Sequence, residues 1–161
     1  ACFEGHCHRA PAGMGDASNG DAHGALDQWR DLVLTHVIEP QLGGLVFVYG
    51  YPASQAALAR IDSGPPPTAA RFECYLDGVE LANGFHELAN ADEQRCRFEA
   101  ENGLRMQRGL QPMPLDERLL AALQSGLPDC SGVALGFDRM MMYASGARRI
   151  EEVLAFPIAN A

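Results

Sequence analysis

The segment Arg71-Phe-Glu-Cys-Tyr-Leu-Asp-Gly-Val-Glu-Leu-Ala82 constrains the fold more than any other part of the chain. Asp77-Gly78 is a tight-turn signal, because such a turn needs backbone conformations that Gly and Asp tolerate. Strand-forming residues flank it on both sides. The result is an antiparallel hairpin. A two-residue turn at Asp77-Gly78 places Leu76 opposite Val79 and Glu73 opposite Ala82. Arg71, Glu73 and Tyr75 alternate with apolar residues, and Glu80 lies on the returning strand. In this register Glu73 and Glu80 are diagonal, and a bulge decides whether both face one side. Two neighbouring carboxylates repel unless a cation lies between them. Without one, both are solvated on an outer face.

Asn83, Phe85 and Glu87 follow and alternate, so an extended chain puts them on one face. An amide, a ring and a carboxylate suit an amine ligand, with the ring against its alkyl stem and Glu87 at its charge. The plainer alternatives are a core Phe85 and a capping or loop Glu87. His86 points the other way and is not a candidate base.

A second constraint lies at Ser131-Gly-Val-Ala-Leu-Gly-Phe-Asp-Arg-Met-Met-Met142. Gly132 and Gly136 permit close approach to the backbone. Asp138 and Arg139 stand where a strand gives way to a helix. That place holds either an anion, with Arg139 as a fork of donors, or a structural ion pair.

The remaining chain supplies the frame. Leu26, Trp29, Val33 and Val37 recur at helical spacing, so a helix is predicted over 25–37, ending near Pro40. Leu45–Tyr49 is almost wholly apolar and is predicted as a central strand. Tyr51-Pro-Ala-Ser-Gln55 lies at its end, and a turn or loop carries 56–60. Residues 62–68, Asp-Ser-Gly-Pro-Pro-Pro-Thr, form a surface loop between two strands. Helices are predicted over 92–106 and 116–124, and a short one over 148–155.

Residues 1–25 are rich in Gly, Ala and His, so they are predicted to be a flexible N-terminal segment, with His23 in a solvent-facing loop. Cys2, His6, Cys7 and His8 match no compact zinc spacing. With 161 residues the chain is one domain by size. A net charge of -9 excludes a nonspecific nucleic-acid binder, because phosphate backbones require a basic face. The five cysteines are scattered and odd in number, which fits a reducing, cytoplasmic setting better than a disulfide framework. Neither a membrane span nor a signal peptide is expected.

Taken together, Ser131–Met142, Thr35-His-Val-Ile-Glu-Pro40, Tyr51–Ala59, Arg71-Phe-Glu73 and Glu80–Leu88 resemble a known family. Residues 26–161 look like the C-terminal part of a class II aminoacyl-tRNA synthetase catalytic domain, in the lysine branch. Within that branch the resemblance is to the short paralogues that attach (R)-β-lysine to elongation factor P. It implies an α+β fold, with an antiparallel sheet flanked by helices. It implies ATP and Mg2+ as cofactors, with Glu73 and Glu80 holding the magnesium and Gly136 and Arg139 at the nucleotide. Arg139, Glu73 and Glu80 are then the catalytic set. Asn83, Phe85, Glu87, Gly132 and Ala134 become the amino-acid pocket. Ala134, where ordinary lysyl-tRNA synthetases usually have glycine, points to the factor-modifying branch. The implied partners are lysine or β-lysine and elongation factor P, with tRNA as the alternative acceptor. No counterpart of the family's first or second signature motif is visible. The expectation is therefore one wall of a cleft, an exposed sheet edge, self-association or a homodimer, and no membrane. A binding module without turnover is the remaining alternative.

Overall fold

A computed structural model describes residues 22–158, with side chains from residue 26. The readings made for residues 1–21, including the Cys2, His6, Cys7 and His8 cluster, lie outside these residues.

The fold is α+β, built on a four-stranded antiparallel sheet. Its strands are β1 (Leu45–Tyr49), β4 (Arg71–Leu76), β5 (Val79–His86) and β6 (Ser131–Leu135), in the order β1-β4-β5-β6. Two short strands, β2 (Ile61–Asp62) and β3 (Thr68–Ala69), flank the proline loop as expected. The helices are α1 (Ala22–Val33), α2 (Ala91–Gln107), α3 (Glu117–Gln124) and α4 (Phe137–Ser145).

Local chemistry explains most of the boundaries. The Asn90 side chain accepts from Glu93 N and starts α2, while Asp116 accepts from Arg118 N and Leu119 N and starts α3. Gly146, at φ 72°, closes α4 in the left-handed conformation that glycine adopts without a Cβ penalty. Asp77 and Gly78 both have positive φ, as the hairpin turn requires. Asp77 Oδ1 also accepts from Gly44 N at 2.7 Å, so the turn fixes the approach to β1.

Four expectations need correction. The first helix is continuous with a wider turn, Leu34–Ile38, and begins at Ala22, so His23 lies in a helix and not in a loop. Strand β1 is an edge strand, not a central one. Its burial alternates, and Leu45, Phe47 and Tyr49 are exposed. An apolar run shows what a strand needs to bury, not what buries it, and among the described residues little covers this face. The third correction concerns the end of the chain: over 148–155 only a 3-10 turn forms, Ile150–Glu152, because so short a segment before Pro157 cannot propagate a helix. The fourth is the hairpin register. Leu76 does pair with Val79, but Glu73 pairs with Asn83 and not with Ala82. A bulge in β5 causes the shift: Tyr75 faces Glu80 and Cys74 faces Ala82, which leaves Leu81 as the extra residue.

Tyr51, Ala56 and Ala69 form a buried cluster against which Leu34, Val48 and Ile61 pack. Tyr75, Leu120 and Leu123 are also buried. Two bonds from Arg95 to Glu117 join α2 to α3.

Candidate functional site: one face of the sheet

The bulge assembles the site. In an unbroken hairpin, Glu80 and Asn83 stand on opposite faces because they are three residues apart. The extra residue Leu81 corrects the parity. Tyr75 then pairs with Glu80, Glu73 with Asn83, and Arg71 with Phe85, all on one face. Strand β6 continues that face: Ala134 pairs with Asn83, and Gly132 with Phe85.

Glu73 is the hub. Its Oε2 accepts from the hydroxyls of Tyr51 at 2.6 Å and Tyr75 at 2.7 Å. Its Oε1 accepts from Asn83 Nδ2 at 3.1 Å and from Arg71 Nη2. Together these donors fill the acceptor positions of a carboxylate. The Arg71 guanidinium lies between two rings, 4.3 Å from the Tyr51 centroid and 5.6 Å from that of Phe85, and donates to Gln55 O at 3.0 Å. Burial, and then the hydrogen bond to the Glu73 side chain, push the Tyr51 hydroxyl well above its ordinary pKa. The same causes act more strongly on Tyr75, whose hydroxyl also lies 3.1 Å from Glu39 Oε1. Sequence reasoning gave neither tyrosine a role. The available signals were the alternation of Tyr75 with Glu73 and the place of Tyr51 at a strand end.

Glu87 follows β5 and folds back over β6. A Cβ on Gly132 would lie 2.3 Å from Glu87 Oε1, so this carboxylate occupies the space that a side chain would take. Glycine at 132 thus places an acid beside Phe85. The backbone of Glu87 is fixed from two sides, its N donating to Cys130 O at 3.0 Å and its O accepting from Arg60 Nε at 2.8 Å. Gly84 is equally constrained: a Cβ there would lie 2.5 Å from the Phe72 ring. His86 points to the reverse face, where Nε2 lies 2.6 Å from Asp129 Oδ1 and Arg60 Nη2 lies 3.1 Å from the same oxygen. The hydrogen bond to His86 and the charge of Arg60 hold Asp129 below its usual carboxylate range.

The junction of β6 and α4 docks on the bulge. Gly136 N donates to Leu81 O at 2.7 Å, and Arg139 Nη1 donates to Glu80 O at 2.7 Å. The carboxylate Oε2 of Glu80 lies farther from Arg139 Nη1, at 3.4 Å. A Cβ at Gly136 would meet Leu81 O and Arg139 Cδ at 3.4 and 3.5 Å, ordinary contact distances, so it is the backbone bond and not the missing side chain that holds this junction. Asp138 and Arg139 lie in the first turn of α4, as the sequence predicted.

Magnesium needs only one or two carboxylates when nucleotide phosphates and water supply the other ligands. Glu80 fits that need with a half-exposed carboxylate on the site face. Glu73 reaches a metal only by giving up one of its present donors. Among the described residues there is no group of three or more His, Cys, Asp or Glu that forms a self-sufficient metal site. No helix among them is long and apolar enough to cross a membrane.

Comparison with known proteins shows the family to which the chain belongs. The family model of class II tRNA synthetases (D, K and N) matches residues 27–160. An elongation factor P–(R)-β-lysine ligase of Proteus mirabilis is 51% identical over 149 residues, covering 91% of this chain and 46% of that protein. The ligase of the same name from Vibrio cholerae is 51% identical over 137 residues, covering 84% and 42%. That of Salmonella arizonae is 48% identical over 156 residues, covering 95% and 48%. The chain spans about half the length of the curated relatives it matches. It belongs to the class II tRNA synthetase family of the aspartate, lysine and asparagine type.

Proposed function

We propose that this chain forms one wall of a cleft in which lysine or (R)-β-lysine is activated by ATP and passed to a lysine of elongation factor P. The observation that carries the reading is the Glu87 carboxylate held over Gly132 beside Phe85, an acid and a ring fit for a side-chain amine. The ligase relatives favour elongation factor P over tRNA as acceptor.

In the first step a carboxylate oxygen of the amino acid attacks the α-phosphorus of ATP, and the bond to pyrophosphate breaks. In the second, an acceptor amine attacks the acyl carbon and AMP leaves. The work is orientation and charge neutralisation, not side-chain base chemistry. Glu87 meets the side-chain amine, Phe85 lies along the alkyl stem, and Asn83, Gly132 and Ala134 shape the pocket. The exposed methyl of Ala134, opposite Asn83, narrows it and biases the choice of lysine isomer. Gly136 and Arg139 meet the nucleotide, Arg139 at its phosphates. A magnesium ion held by Glu80, with Glu73 as the second candidate carboxylate, neutralises phosphate charge when bound.

The exposed Leu45, Phe47 and Tyr49 on edge strand β1, and Val133 and Leu135 on edge strand β6, also favour self-association. Sedimentation at several concentrations tests that part.

ATP–pyrophosphate exchange with lysine and with (R)-β-lysine tests the main reading. Exchange with either amino acid, lost in Glu87→Gln, supports it. A folded chain that binds lysine and ATP without exchange is a binding wall without turnover. A folded chain that binds neither refutes the proposal.

A further inference from the structure

The bulge in β5 leaves Arg139 with two unequal attachments to one residue. The bond to Glu80 O, at 2.7 Å, is short and is fixed by backbone. The contact with Glu80 Oε2, at 3.4 Å, is long and joins side chains that are 48% and 38% exposed. Exposed ion pairs of this kind are weak and exchange readily. The nearby bond from Gly136 N to Leu81 O holds the start of α4 in place, so the Arg139 guanidinium stays at this spot when the carboxylate leaves. No other side chain is hydrogen-bonded to the Glu80 carboxylate among the described residues.

We propose that Glu80 and Arg139 form an exchangeable pair that couples cation binding to phosphate binding. With neither ligand present, each charge satisfies the other. A divalent cation at Glu80 draws the carboxylate away and removes the counter-charge beside Nη1, whose second N–H then turns to phosphate oxygens while the first stays on the carbonyl. A polyphosphate on Arg139 likewise releases Glu80 for the cation. The backbone carbonyl of Glu80 keeps Arg139 aimed throughout. This rests on the nucleotide reading above and adds the device by which its two charged ligands favour each other.

Calorimetric titration with inorganic tripolyphosphate in EDTA tests it, since no metal then takes part. Glu80→Gln keeps the carbonyl anchor and removes the competing charge. It should bind tripolyphosphate about three- to fivefold more tightly than the unaltered chain, the size of effect expected for an exposed ion pair. Glu80→Asp keeps the charge but draws it back by one methylene, and should also bind more tightly. Arg139→Gln should bind more weakly. Manganese titration without anion should show tighter binding in Arg139→Gln. If Arg139→Gln weakens tripolyphosphate binding but Glu80→Gln does not tighten it, the coupling is refuted and the nucleotide reading stands. If Glu80→Asp behaves like the unaltered chain while Glu80→Gln tightens, net charge alone is responsible and the pair is refuted. If Arg139→Gln leaves binding unchanged, the phosphate role of Arg139 fails and the coupling falls with it.

Discussion

Replacing Gly132 by alanine separates recognition from stability. The added Cβ would lie 2.3 Å from Glu87 Oε1 and 3.4 Å from Glu87 Cδ, so the carboxylate must withdraw by roughly 1 Å to reach an ordinary contact. It sits at the far end of a flexible side chain, so withdrawal is easy. Losing a strand glycine stabilises by about 0.5–1 kcal/mol, which offsets small repacking costs. The unfolding free energy of Gly132→Ala should therefore stay within about 1 kcal/mol of the parent. Recognition should not survive as well. A hydrogen bond stretched by that distance is no longer one. Losing a bond to a charged group costs about 1.5–3 kcal/mol, or roughly 10- to 150-fold in lysine affinity. Gly84→Ala is the internal contrast. Its Cβ would lie 2.5 and 2.6 Å from the Phe72 ring and 3.2 Å from Gly132 O, and neither a packed ring nor a backbone carbonyl yields easily. Overpacking there should cost about 1–3 kcal/mol of stability. Urea unfolding and lysine titration of both variants provide the readouts. Unchanged lysine affinity in Gly132→Ala, or a stability loss as large as that of Gly84→Ala, would refute the placement of Glu87.

Three further outcomes follow from the same structure. Tyr51 and Tyr75 keep their protons above the ordinary tyrosine range, whereas in the unfolded chain they lose them near pH 10. The folded state then binds more protons, so stability should hold up to about pH 10 and fall above it. Urea midpoints between pH 9 and 11 should show a shallower fall in Tyr75→Phe. That variant also loses a bond to the Glu73 carboxylate and should lose about 1.5–3 kcal/mol at pH 7. Asn90→Ala removes the cap of α2 and should cost about 1 kcal/mol, read by thermal unfolding with circular dichroism. Leu120→Ala, at a side chain only 1% exposed between α3 and its neighbours, should cost about 2–5 kcal/mol in the same assay.

The sequence by itself determined the elements that local chemistry dictates. Asp77-Gly78 specified the hairpin turn, because few residues accept positive φ. The acidic residues Asp92-Glu93 and Asp116 marked the starts of α2 and α3 to within a residue, and the structure adds Asn90 and Asp116 as the capping oxygens. Asp138 and Arg139 marked a strand–helix junction, which the structure places just before them, at Gly136, with both residues in the first turn of α4. The shared face of Asn83, Phe85 and Glu87 was legible as alternation, and the family as an ordered series of motifs. Burial was not legible. The apolar run Leu45–Tyr49 reads as a central strand but lies at an edge, because composition records the need for cover and not its source. The union of the two halves of the site was not legible either. Glu80 and Asn83 are three residues apart and belong on opposite faces of an unbroken strand. A single unpaired residue, Leu81, brings them to one face and turns two carbonyls toward Gly136 and Arg139. No local residue preference announces that bulge. Tertiary structure decides it, because it is where β5 meets both its hairpin partner and the start of α4.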